Sequence, residues 1–170
     1  MPGTIPIASI VADSAAATGL KWAAPAGGGK VLQVVNATYA TETTVSSSTF
    51  IDSGLTATIT PTASNSKILV LTQQLFRNSG VGVNARNGRV KLLRGATAIW
   101  DTGLNDIGIY VGGNGANDIQ AIALFNFTYM DSPATTSATT YKTQLATGED
   151  TNRANLQGTT SSIILLEIGA

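Results

Sequence analysis

The stretch Ser162–Ile168 reads SIILLEI, and it constrains the fold more than any other segment. Written as a strand, it places Ile163 and Leu165 on one face and Ile164 and Leu166 on the other, so both faces have to be covered. A strand of that kind belongs in the middle of a sheet. The end of the chain then lies at the domain's edge, beside a central strand.

Other segments carry the same period of two. Leu55–Thr60 alternates Leu55, Ala57 and Ile59 with three threonines, the mark of a half-buried strand, and Pro61 ends it. Lys67–Phe76 starts apolar on both faces and is expected to lie centrally. Gly88–Arg94 and Ala96–Asp101 flank Gly95 and read as a hairpin. Val31–Val35 is a short β-branched run. Ile119–Met130 is long and puts Phe125, Phe127 and Tyr129 on one face. Ala138–Ala146 alternates around Tyr141, Thr143 and Leu145. These give about eight strands without a convincing helix, which predicts an all-β, two-sheet antiparallel sandwich of the jelly-roll kind over residues 30–170.

Residues 1–29 show no sustained period. Pro2, Pro6 and Pro25 interrupt them, and Gly27, Gly28 and Gly29 make a flexible joint. The reading is an extended N-terminal arm with two sticky points, the group Ile5, Ile7, Ile10 and Val11 and the pair Leu20 and Trp22. An indole on a short stem is a large apolar anchor, either packing on the base of its own domain or seated in another protein. The start does not read as a secretory signal: it lacks a basic leading region, and Pro6 and Asp13 break the apolar stretch. No run approaches the ~20 apolar residues of a membrane span, so no membrane insertion is expected.

Chemistry is narrowed by what the chain lacks. With no His and no Cys among 170 residues, imidazole acid–base work, thiol chemistry and the common zinc sites are excluded. Asp101, Asp106, Asp118, Asp131, Glu149 and Asp150 fall at predicted strand ends and turns, where carboxylates are common in any case. The glycine-rich run Tyr110–Asp118 lacks the Lys-Ser/Thr ending of a phosphate loop. Its amides and carboxylate suit hydrogen bonding to sugars, as do those of the polar loop Thr147–Gly158. The candidate glycan contacts are therefore Tyr110, Asn114, Asn117, Asp118, Asn152 and Arg153. Glu149 and Asp150 offer oxygen ligands for Ca²⁺, in a spacing that matches no EF-hand; neither a cofactor nor a metal is expected.

Ten basic residues balance ten acidic ones, and charged residues make up 12% of the chain. Such a neutral surface favours association, and it suggests that other chains cover much of it. Arg77, Arg86, Arg89, Lys91 and Arg94 are clustered but lack the interleaved aromatics of a single-strand binder, so no nucleic-acid partner is expected. They read as solvated positions or as partners for acidic residues of a neighbouring subunit.

One set of segments resembles a known family. VADSAAATGLKWAAPAGGGKVLQVV resembles the linker leading into the distal domain of bacteriophage tail-fibre proteins. TFIDSGLTATITPTASNSKILVL, KLLRGATAIWD and the closing SSIILLEIGA look like the small jelly-roll domains, similar to the C1q and tumour-necrosis-factor fold, of phage fibres and other virion proteins. The resemblance implies a non-enzymatic phage virion structural protein, a homotrimer with other virion proteins as partners. On that reading the arm docks the protein to the virion, the trimer core includes Phe125, Phe127 and Tyr129, and the function is that of a short tail fibre attaching to host-surface glycans. The alternative is a capsid decoration or head-fibre protein held through its arm, since only about thirty residues precede the β region and a fibre has a longer shaft. A glycan depolymerase is the weakest reading, for want of a carboxylate motif.

Overall fold

Leu55, Ala57 and Ile59 are buried and the threonines between them exposed, so the alternation seen in the sequence is a real strand. The computed structural model describes residues 9–12, 20–23, 29–81, 88–102, 118–148 and 151–169. The described residues form twelve strands: β1 (Ser9–Ala12), β2 (Leu20–Ala23), β3 (Val31–Tyr39), β4 (Thr43–Val45), β5 (Ile51–Ile59), β6 (Lys67–Val81), β7 (Gly88–Arg94), β8 (Thr97–Asp101), β9 (Asp118–Asp131), β10 (Thr139–Thr147), β11 (Thr151–Ala154) and β12 (Ser161–Ile168). A 3₁₀ turn, Leu156–Gly158, joins the last two.

All pairings are antiparallel, and their nesting defines the fold. β3 pairs with β12, β5 with β10, β6 with β9 and β7 with β8. First meets last, second meets second-last, and so inward: one long hairpin rolled on itself, which is the jelly-roll wiring. The two sheets are β5-β10-β7-β8 and β3-β12-β6-β9, the second extended by β11 and β4. β12 lies between β3 and β6, as its two-sided apolar sequence requires. Its inward residues Ile163 and Leu165 are fully buried, whereas Ile164 and Leu166 on the other face are only half-buried.

The core lies between the sheets. Leu55, Ile59, Ile68, Val70, Leu92, Tyr141, Ile163 and Leu165 form its larger part, and Val45, Phe76, Val90, Leu145 and Ala154 a smaller one. At one end Tyr141 of β10 donates to Asp131 of β9 (2.6 Å), whose carboxylate also takes Arg94 of β7 at 2.9 Å. Burial, and then this bond to Asp131, push the Tyr141 hydroxyl well above its usual pKa.

Two strands are broken at the same level. β12 and β11 lie end to end along one side of β6, and β3 and β4 lie outside them in the same manner. The inner break falls at Asn155 and Gln157, both left-handed (φ 57° and 53°), a conformation Asn tolerates better than most residues. The sequence reading made Thr147–Gly158 a single polar loop. Instead β11 occupies part of it, because its inward residues, Asn152 and Ala154, give no apolar signal.

Asn155 is fully buried and ties the break to both sheets. Its Nδ2 donates to the carbonyls of Thr41 (2.9 Å) and Ser53 (3.3 Å); its Oδ1 accepts from Gln74 Nε2 (3.0 Å) and Ser161 Oγ (2.6 Å). Gln74 Oε1 in turn accepts from Thr143 Oγ1 at 2.9 Å, and Ser53 Oγ bonds to Thr143 Oγ1. Ser53 turns inward at a bulge beside Gly54, whose φ of 89° suits glycine and whose missing Cβ leaves room for the Tyr39 ring. Replacing Asn155 by Ala leaves several buried groups unpaired and is expected to cost about 2–4 kcal/mol; urea midpoints should show this, with exposed Asn65→Ala near neutral.

Glu167 is fully buried on β12. Its carboxylate accepts from Gln33 Nε2 (2.6 Å) and from the Thr62 amide and hydroxyl (2.7 Å each). Burial pushes its pKa up, but these donors, led by Gln33, outweigh that and draw it from an ordinary 4.5 to about 2. The folded-state pKa lies below the unfolded one, so the stabilisation is full above about pH 4.5 and is lost as pH falls towards about 2. Glu167→Gln is expected to be the less stable protein at pH 7, and the difference in unfolding midpoint should close over that acid window.

Candidate interaction surfaces

The outer face of the β5-β10-β7-β8 sheet is polar. One row across all four strands reads Asp52, Gln144, Lys91 and Asp101. Lys142 and Gln144 bond to Asp52 (2.8 and 2.7 Å), and Lys91 pairs with Asp101 at 3.5 Å. Phe50 lies beside the row, with Lys91 Nζ 3.9 Å and Arg89 Cζ 4.9 Å from its ring centre. The expectation that the basic cluster is solvated or pairs with a neighbouring subunit is corrected here for two members. Lys91 and Arg94 find their acidic partners, Asp101 and Asp131, within the chain. Arg86 lies outside the described residues.

The other outer face differs. On β9 the odd-numbered Phe125, Phe127 and Tyr129 face into the sandwich and the even-numbered residues face out. Phe127 stacks on Trp100 (centroids 4.8 Å apart, 11° between planes), and Phe125 packs against Trp100, Phe127 and Phe76. Phe127 and Tyr129 also pack on the main core. The expectation set these three aromatics at an inter-subunit core, but the structure uses them inside the chain. Ile122, Leu124 and Met130 carry the outward apolar surface instead, at 50%, 52% and 47% exposure, with Val34 of β3 at 59%. Sequence reading missed them because they share their parity with Gln120, Asn126 and Thr128, and the aromatics of the other parity gave the stronger signal.

The glycan candidates separate. Tyr110, Asn114 and Asn117 lie outside the described residues, as do Glu149 and Asp150. Asp118 opens β9 opposite Val81. Asn152 is corrected: it is 1% exposed, faces inward and donates to the Ala146 carbonyl at 3.1 Å, so no sugar in solvent reaches it. Arg153 faces outward and is half-buried, paired with Glu42 at 3.0 Å. Glu42 also accepts the Gln157 amide at 3.0 Å, and that bond, ahead of Arg153, holds its carboxyl below the usual range. Among the described residues no group of three or more His, Cys, Asp or Glu could hold a metal.

Of the arm, Ile5 and Ile7 lie outside the described residues. Ile10 and Val11 fall on β1, Leu20 and Trp22 on β2, and these strands pair antiparallel with Ile10 opposite Trp22. The two sticky points of the arm are thus cross-strand neighbours, not separate stations on an extended chain.

The poles of the domain are distinct. At one, Lys30 receives the Gly169 amide (2.8 Å) and Ile168 pairs with Lys67, so the arm enters where β6 begins. At the other, Val81 pairs with Asp118, Ser79 with Thr151 and Gly88 with Thr147. The ends joined by segments 82–87, 103–117 and 149–150 therefore gather where β6 finishes, about 45 Å from where it begins.

No protein-family model and no curated protein matches the chain. Among solved structures, 96% of it aligns with 43% of a chain in a structure of infectious bursal disease virus, Gx strain, at TM-score 0.39 and 14% identity. It aligns similarly with the infectious bursal disease virus VP2 subviral particle, covering 96% of this chain and 44% of that one at TM-score 0.39 and 11% identity. The chain spans less than half the length of these virus chains.

Phe127→Ala is expected to lower stability by about 2–3 kcal/mol through lost stacking and packing while leaving the mass of any assembly unchanged. Urea unfolding and sedimentation, measured together, check both halves.

Proposed function

We propose that the chain is a non-enzymatic phage virion structural protein, a homotrimer that serves as a short tail fibre and attaches the virion to host-surface glycans. The observation that carries this reading is the polarity of the domain: the arm enters at one pole, and the strand ends bearing the sugar-suited loops gather at the other. An attachment protein needs that separation of base and tip. The segments that resemble fibre domains support it, since they fall on the rolled hairpin itself: β5 and the start of β6, β7 with β8, and β12 beside β3. Three tips side by side turn weak sugar contacts into useful avidity.

The pairing of β1 with β2 favours a second reading, a head decoration protein, because a preformed hairpin with Ile10 opposite Trp22 is a compact element to seat on a capsid. Labelled protein offered separately to host cells and to bare capsids distinguishes the two. Saturable binding to cells alone supports the fibre; binding to capsids alone supports decoration. On the fibre reading, replacing Tyr110–Asp118 by a tight turn should weaken cell binding about tenfold or more, and deleting residues 1–28 should leave it intact.

A further inference from the structure

We infer that the outer face of the β3-β12-β6-β9 sheet is the surface through which copies of this chain meet. The inference rests on the trimeric reading above and names the side chains that would make it. Three rows cross four strands: Val34–Leu166–Leu69–Met130, Asn36–Ile164–Leu71–Thr128 and Thr38–Ser162–Gln73–Asn126. Beyond them Leu75 stands opposite Leu124, and Arg77 opposite Ile122.

The first row is wholly apolar, and its two outer members are among the most exposed large apolar side chains described, Val34 at 59% and Met130 at 47%. None of the three rows contains a charged residue. A partner can therefore cover them without stripping water from an unpaired ion. The polar members are hydroxyls and amides, which donate and accept alike, so a second copy can answer them in more than one orientation. The chain's zero net charge adds no repulsion between copies. The opposite outer face is a poor alternative, because a copy seated there would bury the row of Asp52, Lys91 and Asp101.

Counted to the Ile122 row, which brings in Arg77, the face runs about 27 Å along β6; it is β3-β12-β6-β9 wide only over the three uncharged rows, about 14 Å of that length, so its projection is roughly 350 Å² before side-chain relief is added. That is about half of the ~800 Å² of accessible surface each partner gives to a stable interface, before the relief of Val34, Met130, Leu124 and Ile122 is counted.

Sedimentation of the intact chain tests the inference against two double variants. Val34→Glu with Met130→Glu alters the face at exposed positions; Thr56→Glu with Ala98→Glu alters the other outer face as a control. The expected result is trimer mass for the wild type and control, and monomer mass with a native β spectrum for the face variant. A wild-type dimer that the face variant dissolves would uphold the surface and overturn the trimer. A wild-type trimer unmoved by the face variant would overturn the surface and leave the trimer standing. A wild-type monomer would overturn both and assign the face to a different protein. Should the glutamates prevent folding, Val34→Ser with Met130→Gln is read by dilution, with dissociation about tenfold easier expected and unchanged dissociation overturning the inference.

Discussion

The domain depends on a polar knot in an apolar place. Asn155, Gln74, Ser53, Thr143 and Ser161 are all buried, and their bonds join the two sheets at the level where two strands break. A broken strand leaves carbonyls without ladder partners, and burying them unpaired costs about 1–3 kcal/mol each. Asn155 removes that cost at one stroke, because a single amide both donates and accepts. Gln74 reaches it from the facing strand and passes the connection to Thr143 on the other sheet. An apolar side chain at Asn155 could fill the volume but could not close the break.

Around that knot the rolled hairpin has simple consequences. Nesting brings the first and last strands together, so the arm's entry and the end of β12 share one pole. The same nesting sends the ends of β6 and β10 and the starts of β7 and β9 to the opposite pole. Strand length sets the distance between the two, and no special feature of either end is needed. Polarity, which an attachment protein requires, comes with the topology.

Much of this was legible in the sequence wherever period-two alternation was clean. Leu55–Ile59 showed its buried face at once, and SIILLEI showed that it was central. The nested pairing followed only from the resemblance and the strand count, because alternation says which side faces in and nothing about which strand lies alongside. β9 shows the harder case. Its odd parity is apolar from Ile119 to Tyr129 and its even parity mixed, with Ile122, Leu124 and Met130 among polar residues, so the pattern could not say whether the aromatics face the chain's own core or another subunit. In a strand the two choices differ by a single residue, and a one-residue shift exchanges every side chain between faces. Trp100 settles it by stacking on Phe127 from the other sheet, a contact no local pattern contains. Asn152 was unreadable for a related reason: a polar residue in a polar stretch looks exposed until β6 and β4 are laid on either side of it.

The outward face of β12 completes the reasoning that SIILLEI began. A strand apolar on both faces asks for cover on both. A two-layer sandwich gives each sheet one covered face only, because its second layer is spent on the first. Within this chain Ile163 and Leu165 are fully buried, while Ile164 and Leu166 are half-buried, with Val34 and Leu69 beside Leu166, and Asn36 and Leu71 beside Ile164. Three of those four neighbours are apolar, so lateral packing around Leu166 extends the apolar face instead of ending it. Met130 and Leu124 carry it to the free edge of the sheet. Sequence and fold therefore agree that β12 is apolar on the face its partner sheet leaves uncovered, and the uncharged rows around it would let a second copy supply that cover without burying ions.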